Sequence, residues 1–451
     1  MKRLCLKVLH SLKSDGVKGQ LLRGGLGTLT ARLLSSVLAS VTSLLLARLM
    51  GATQYGMYAL MLAIMGILAV PAQVGLPNLV IRETAKSFAS RNWAEMVGLW
   101  KWSSRTTGVL SLGIIATAGT AFIFLHSRLS EEQVALACFG GLLIPIIAMG
   151  NIRGASLRGL GRIVLGQMPE YIIRPVLVIA LSLAWVGFTK NLDAVTGAAL
   201  YATSALIAFV FGAMVLARAQ PQELRHVVPS YRTAEWRRAC LPMALLSGMS
   251  IINLHVGVVV LGALSTSADA GVFRTVMQAS ALLAVVMKIT DTVIAPHMAR
   301  LHYAGEVESL RRLAVGSARV NAALTIPIVI IVVFGGPYIL NLALGPDYVA
   351  GAVPLAVILC ARVLQALVGP VEMALTMTGH EKKSATGLAL SAGINCMLCV
   401  ALVPRFGILG AATATFFAIV TWNIFLLALT RRALGIDVSA LGLMSRRKKV
   451  A

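Results

Sequence analysis

The residues of this chain that could do chemistry are ionisable side chains within or beside long apolar stretches. A charge near the centre of a bilayer costs about 2.5–3.5 kcal/mol on insertion scales, so such residues are candidate functional groups. Cations there would bind anions, whereas carboxylates and histidine could carry protons. The binding candidates are Arg32, Arg48, Lys288 and Arg362, and the coupling or gating candidates are His255, Asp291 and Glu372.

Three of the cations differ in how deeply they lie in their apolar stretches. Arg32 lies about two turns from the end of its stretch, so substrate contact and snorkelling to the surface both fit. Arg362 lies near the middle of its stretch, where snorkelling is difficult, and this favours a place in a cavity. Arg48 stands at the end of its stretch and is interpreted as a marker of the membrane surface.

The remaining candidates also have two interpretations each. Lys288 and Asp291 are three residues apart on one helical face, which fits either a structural ion pair or a proton-coupled switch. For His255, an interhelical hydrogen bond is favoured over carrying a proton. Glu372 lies near the end of its stretch and is interpreted as an interfacial carboxylate.

Motifs for other chemistry are weak. Cys396 and Cys399 spell C-x-x-C, but they lie within an apolar helix without a second pair, so packing explains them. The sequence has no G-x-x-x-x-G-K-[ST] phosphate loop. We expect no cofactor, with proton or sodium coupling left open.

These candidates must be positioned by membrane-spanning helices. Of 451 residues, 58% are hydrophobic and 13% charged, whereas soluble domains carry roughly 25% charged residues. This composition excludes a water-soluble enzyme. Since a span needs about 20 apolar residues, we expect an all-α polytopic protein with helices near 26–47, 57–81, 106–125, 134–152, 173–189, 194–216, 241–263, 272–294, 319–340, 353–376, 387–403 and 407–429. Within the second span, Pro71 to Asn78 should bend or interrupt the helix.

Lys and Arg are divided unevenly between the connections. With both termini in the cytoplasm, 32 of the 40 fall on cytoplasmic segments and 5 on outer loops. This bias follows the positive-inside rule. It explains the net charge of +23 without nucleic acid as a partner, and it favours contact with anionic membrane lipids.

An internal repeat predicts two equivalent halves. Residues 52–58 and 67–70 match 267–273 and 282–285 at an offset of 215, and 197–199 match 410–412 at an offset of 213. Six spans per half give both halves the same orientation, so a pseudo-two-fold axis along the membrane normal should relate two six-helix bundles. The expected units are a basic amphipathic segment (1–23), an N-terminal bundle (24–217), a linker (218–240), a C-terminal bundle (241–430) and a basic cytoplasmic tail (431–451).

Motifs across the chain also resemble a known family. Residues 46–58, LARLMGATQYGMY, are similar to the R-x-L-G-x-x-x-Y-G-x-Y signature of polysaccharide exporters, with Met50 at a position where Leu is common. Further matches are Val74 to Pro77, Arg158 to Arg162 with Arg174 and Pro175, Tyr348, Thr378 to His380, and Phe406 to Ala412. The chain thus resembles the lipopolysaccharide and O-antigen flippases of the multidrug/oligosaccharidyl-lipid/polysaccharide exporter superfamily.

This resemblance implies a secondary transporter of the bacterial inner membrane and no enzyme. Its substrate would be an undecaprenyl-pyrophosphate-linked oligosaccharide, moved by alternating access for lipopolysaccharide, O-antigen or exopolysaccharide biosynthesis. Other polysaccharide-assembly membrane proteins are implied as partners. A multidrug-type cation antiporter of the same superfamily and a membrane glycosyltransferase or polymerase stay open as alternatives.

Overall fold

The computed structural model describes residues 17–125 and 130–442. The described residues form helices joined by short connections. The α-helices are α1 (Val17–Gln73), α2 (Leu76–Ala89), α3 (Trp93–Leu125), α4 (Glu131–Gly159), α5 (Ile163–Met168), α6 (Arg174–Thr189), α7 (Ala194–Ala219), α8 (Thr233–Leu264), α9 (Ser267–Tyr303), α10 (Val307–Leu344), α11 (Ala352–Val368), α12 (Val371–Met377) and α13 (Glu381–Leu434). A π-helical turn (Pro169–Ile173) joins α5 to α6, and 3₁₀ turns occupy Gln222–His226 and Pro346–Gly351.

Twelve membrane-spanning segments follow from these helices. Within the described residues, nine helical stretches are long and apolar enough to cross a membrane. Two of these, in α1 and α13, bend at Gly51 and Gly407 and so contain two segments each. Helix α3 adds the twelfth. The predicted all-α polytopic fold is confirmed.

Several helices extend beyond the predicted apolar spans. Helix α3 begins at Trp93, α9 at Ser267 and α10 at Val307, because polar turns continue each helix outside the apolar stretch. The expected interruption of the second span is present: α1 ends at Gln73 and α2 begins at Leu76. The predicted tenth span instead ends early, at Val368, because Gly369 adopts φ 86° before the short helix α12.

The helices form two bundles, α1–α7 and α8–α13. The repeat-related Gly56 and Gly271 meet at their junction, and a Cβ on either one would overlap backbone of the other repeat motif. Contact between equivalent residues is the arrangement expected beside a two-fold axis. We call the end that carries connections 82–105, 152–175, 217–239, 295–319 and 378–386 the basic end, and the other the opposite end.

The two terminal segments are only partly within the described residues. Most of the predicted amphipathic segment lies in residues 1–16, outside the described part, and from Val17 the chain is continuous with α1. The predicted basic tail is not a free extension throughout. Val438 is fully buried, and the Ala440 N–H donates to the Leu367 carbonyl. Residues 436–440 therefore belong to the core of the C-terminal bundle at the basic end, whereas residues 443–451 lie outside the described part.

Candidate functional site

A wide chamber lies between the two bundles at the basic end. Its volume is about 600 Å³, and α1, α4, α5 with the π-helical turn, α9 and α12 line it. Four charged side chains face it from these elements: Arg158, Lys288, Asp291 and Glu372. This chamber therefore offers both cations and carboxylates.

A narrow chamber of about 220 Å³ lies one helical turn further from the basic end. Along α1, for example, the lining passes from Ser36 in the wide chamber to Ala39 in the narrow one. Arg174 and Arg274 line the narrow chamber together with three tyrosines, Tyr55, Tyr58 and Tyr201. Its walls combine cations with aromatic and hydroxyl groups and include no carboxylate among the described residues.

A buried ion-pair network holds Arg174 at this chamber. Its Nη1 lies 3.0 Å from Oε2 of Glu170, and its guanidinium lies 5.3 Å from the centre of the Tyr201 ring. The other carboxylate oxygen of Glu170 accepts from Arg153 Nη2 at 3.1 Å. The π-helical turn carries Glu170, and Gly150 leaves the space for its carboxylate, which a Cβ would occupy.

Arg274 is placed differently. It lies seven residues into α9, beside Tyr55, and no carboxylate pairs with it in the part of the chain that the structure describes. Arg274 therefore supplies the narrow chamber with a cation that is not neutralised by an ion pair. Across both chambers, Arg158, Arg174, Arg274 and Lys288 outnumber Asp291 and Glu372, so the lining is basic on balance.

The bundles are bridged at the opposite end. Arg48 Nη1 donates to the carbonyl oxygens of Leu342 and Ala343 at 3.3 and 3.1 Å, at the C-terminus of α10. The buried Tyr348 hydroxyl donates to the Ala47 carbonyl at 2.8 Å. Arg48 is exposed, as expected for a surface marker, but it also ties the N-terminal bundle to the C-terminal one. These bonds close the opposite end over the chambers.

Lys288 and Asp291 line the wide chamber together but form no ion pair with each other, whereas a structural pair was one prediction from their spacing. Among the described residues, neither takes part in a salt bridge within 4.0 Å. Lys288 is exposed and Asp291 half-buried. Glu372 lies in the first turn of the short helix α12 and is exposed at the chamber wall. Since the tenth span stops at Val368, Glu372 faces a chamber and is not simply an interfacial carboxylate at the end of a span.

The other candidates are not brought into the chambers. Arg362 is half-buried between α9 and α11, where it donates to Ser280 and Gln365, and it is not among the residues lining either chamber. His255 packs against Gly66 between the bundles, and its buried Nδ1 has no hydrogen-bond partner in the described part of the chain. The favoured interhelical hydrogen bond is therefore not formed at Nδ1. Arg32 lies on α1, but its side chain is outside the described residues.

Sequence reasoning missed the two arginines of the narrow chamber. Arg274 was counted among the five cations of the outer loops, because it lies only two residues into the span predicted for 272–294. The side chain of Thr266 accepts from the Asp269 N–H, so α9 starts at Ser267. A Thr followed three residues later by an acid is a helix-start signal, and it places Arg274 about 10 Å inside the helix. Arg174 appeared only as part of a family motif.

Comparisons with known proteins agree with this architecture. A family model for "Polysaccharide biosynthesis protein" matches residues 21–302. The probable low-salt glycan biosynthesis flippase Agl15 of Haloferax volcanii is 22% identical over 386 residues, which are 82% of this chain and 75% of that protein. The resemblance to polysaccharide flippases expected from the sequence is confirmed.

Solved structures of transporters share the fold. An inward-facing multidrug resistance MATE family transporter of the MOP superfamily overlaps with a TM-score of 0.72 at 15% identity, covering 91% of this chain and 98% of that one. An outward-facing structure of a transporter of this kind overlaps with a TM-score of 0.58 at 16% identity, covering 95% and 98%. The fold is that of these multi-pass membrane transporters, with twelve segments in two bundles.

Proposed function

We propose that this chain, which belongs to the polysaccharide biosynthesis protein family, moves a lipid-linked oligosaccharide across a membrane by alternating access. The substrate we favour is an undecaprenyl-pyrophosphate-linked oligosaccharide, and the membrane is the bacterial inner membrane with the basic end and both termini in the cytoplasm. The observation that carries this proposal is the pair of adjoining chambers between the bundles, whose lining is basic on balance.

The chambers solve an electrostatic problem. Phosphates and sugars must pass hydrocarbon, where an unpaired charge is very costly. Arg158 and Lys288 at the basic end, followed by Arg174 and Arg274 one turn further, offer cations along the path. Guanidinium groups bind phosphate oxygens through paired hydrogen bonds. A cytoplasm-negative potential then favours outward movement of an anion by about 2.3 kcal/mol per charge per 100 mV.

The apolar tail of the substrate needs a separate path. Helices α1 and α9 both line the wide chamber. Further from the basic end they are joined, because Gln278 of α9 donates a hydrogen bond to Ser40 of α1 with a donor–acceptor distance of 2.8 Å. On the other side of the molecule, Gly75, just before α2, packs against α8, and Asn78 of α2 donates to Ser247 at 3.4 Å. The chamber side between α1 and α9 is therefore the side at which a headgroup could enter while its tail stays in lipid.

The bonds at the opposite end support our proposal that this arrangement is the inward-open state of the cycle. In the outward-open state the Arg48 and Tyr348 contacts must break, and the bundles must approach each other around the wide chamber. Rocking of one bundle against the other accomplishes both changes.

Transport of a labelled lipid-linked oligosaccharide into everted membrane vesicles tests the proposal. Arg274→Gln should slow uptake roughly tenfold or more, since a hydrogen bond to a charged group contributes about 1.5–3 kcal/mol. Arg405→Gln removes an exposed cation from the opposite end and serves as the matched control. Uptake by Arg274→Gln at the wild-type rate, at equal protein levels, would remove the narrow chamber from the mechanism.

A cation antiporter is the second candidate, because Asp291 and Glu372 both line the wide chamber. An antiporter of this kind would expel cationic dyes and would lose that activity in Asp291→Asn. If the chain is a flippase, cells from which its gene is deleted should accumulate the lipid-linked substrate on the inner leaflet. Proton coupling through Asp291 or Glu372 belongs to either candidate and is tested by the pH dependence of transport in the Asp291→Asn variant.

A further inference from the structure

A third cavity lies inside the N-terminal bundle, apart from the two chambers. Its volume is about 460 Å³, and it lies between α3, α4 and α7 near the basic end. Three cations line it, Lys101, Arg105 and Arg153, together with the hydroxyls of Ser104 and Ser156. No acidic side chain is among the described residues that line it.

Arg153 is the buried cation of this cavity, with 6% of its surface exposed. Its Nη1 donates to the Phe209 carbonyl and its Nη2 to Glu170, but its buried Nε has no acceptor among the described residues. A buried donor left without a partner costs about 1–3 kcal/mol, and more when the group is charged. The Nε–H of Arg153 is therefore available to donate a hydrogen bond to an acceptor that the described residues do not supply.

The rim of the cavity extends this cationic character to the surface. Lys101 and Arg105 are four residues apart on one face of α3, and both are exposed. They precede the apolar part of the helix, so they lie at the depth where lipid headgroups meet the hydrocarbon. Trp100, beside them, is typical of this interfacial layer.

We propose that this cavity binds the phosphate group of an anionic phospholipid from the leaflet at the basic end. Arg153, Lys101 and Arg105 would meet the phosphate oxygens, and the apolar side chains of Met149 and Phe209 would contact the first carbons of the lipid. Basic cavities between membrane helices on the cytoplasmic side suit phosphate headgroups. The apolar walls favour a lipid over free phosphate, which shares the same oxygen chemistry.

The bound lipid is connected to the transport path. Arg153 pairs with Glu170, and Glu170 pairs with Arg174 at the narrow chamber. A phosphate that shares Arg153 weakens its hold on Glu170, which leaves the carboxylate more available to Arg174. By linkage, the lipid and the anion in the chamber must then influence each other's affinity equally.

Lipid binding to the purified full-length protein tests the site. Wild-type protein in a neutral detergent is titrated with phosphatidylglycerol, with phosphatidylcholine, or with inorganic phosphate, and bound lipid is counted by native mass spectrometry. Lys101→Gln/Arg105→Gln removes two rim cations without touching the buried network. Arg237→Gln/Arg238→Gln removes two exposed cations near the start of α8 and is the matched control.

We expect one phosphatidylglycerol to stay bound to wild type and to the control, with at least tenfold weaker binding to the Lys101/Arg105 variant. Equal weakening in both variants would show attraction by surface charge alone and overturn the site. Retention of phosphatidylcholine equal to that of phosphatidylglycerol would also overturn the site. If inorganic phosphate competes as strongly as the lipid does, the cavity is a site for free phosphate and not for a phospholipid. The assay needs no transported substrate, so its failure is distinct from failure of the flippase proposal.

Discussion

Glu170 connects the buried Arg153 to the half-buried Arg174, and its neutralisation is the sharpest test of how the N-terminal bundle is held together. Its carboxylate has 7% exposure and lies 3.1 Å from Arg153 and 3.0 Å from Arg174. Glu170→Gln keeps the shape of the side chain but removes its charge. One end of the new amide is an NH₂ group, which would face a guanidinium and cannot accept from it.

The expected cost follows from the burial of Glu170 and Arg153 and the partial burial of Arg174. Removing one partner of a buried ion pair costs about 3–5 kcal/mol, because the other charge is left uncompensated. Arg174 keeps its contact with Tyr201 and faces a chamber, so we take the lower value of about 3 kcal/mol. For a unit of about 200 residues, each kcal/mol lowers the melting temperature by roughly 2–4 °C, which gives a decrease of about 6–12 °C.

Thermal unfolding of the purified variants measures this decrease. Glu235→Gln is the control, since Glu235 is 70% exposed and pairs with Arg232 at 3.6 Å. Exposed pairs contribute about 0–1 kcal/mol, so the control should stay within roughly 4 °C of wild type. In the double variant Arg153→Met/Glu170→Gln, the loss should be smaller than the sum of the single losses, because one uncompensated charge is gone. A melting temperature for Glu170→Gln equal to that of the control would refute the network as a stabilising element.

Three further outcomes are expected. Tyr348→Phe removes the hydrogen bond to the Ala47 carbonyl, which is worth about 1 kcal/mol. Labelling of a cysteine introduced in a chamber, by a reagent added at the opposite end, should therefore rise roughly fivefold. Tyr338→Phe, a change at an exposed tyrosine, should leave this labelling unchanged. Burial raises the pKa of Asp437, but hydrogen bonds from Ser439 and Arg431 lower it below its ordinary value overall. The stability that this carboxylate gives is therefore present above about pH 4 and lost on further acidification. The melting temperatures of wild type and Asp437→Asn should converge as the pH falls below that value. We also propose 24–217 and 241–430 as the two bundle units, and halves separated at the exposed Val228 should assemble when co-expressed; halves that never co-purify would contradict these boundaries.

The number and order of the membrane-spanning segments could be predicted because bilayer thickness fixes the length of an apolar span. The interruption after Gln73 was also predictable, since Pro and Gly mark such breaks. Helix ends were less predictable, because polar turns continue α3, α9 and α10 beyond the hydrocarbon without changing the apolar pattern. Because α9 begins five residues before the span predicted for 272–294, Arg274 lies deeper in the helix than the apolar pattern indicated.

Which charges face the chambers could not be predicted from depth in the sequence. Arg362 lies deepest in its span, yet Ser280 and Gln365 satisfy it between helices. Arg174 follows a π-helical turn, which shifts the helical face by part of a turn and which no apolar period reveals. The partners of a side chain depend on how two helices are rotated about their axes relative to each other, and this rotation is only weakly predictable from a single sequence.

The different environments of Arg174 and Arg274 suit a transporter better than two identical cations would. A site that moves an anion must bind it on one side and release it on the other, so its affinity cannot rest on bare charge alone. Arg274 has no carboxylate partner in the described part of the chain, so in the mechanism we propose it attracts the anion. Glu170 already pairs with Arg174 and would pair with it fully again when the anion leaves. Because Glu170 also holds Arg153, this exchange is connected to packing in the N-terminal bundle, and a change of state there would alter the binding strength of the chamber.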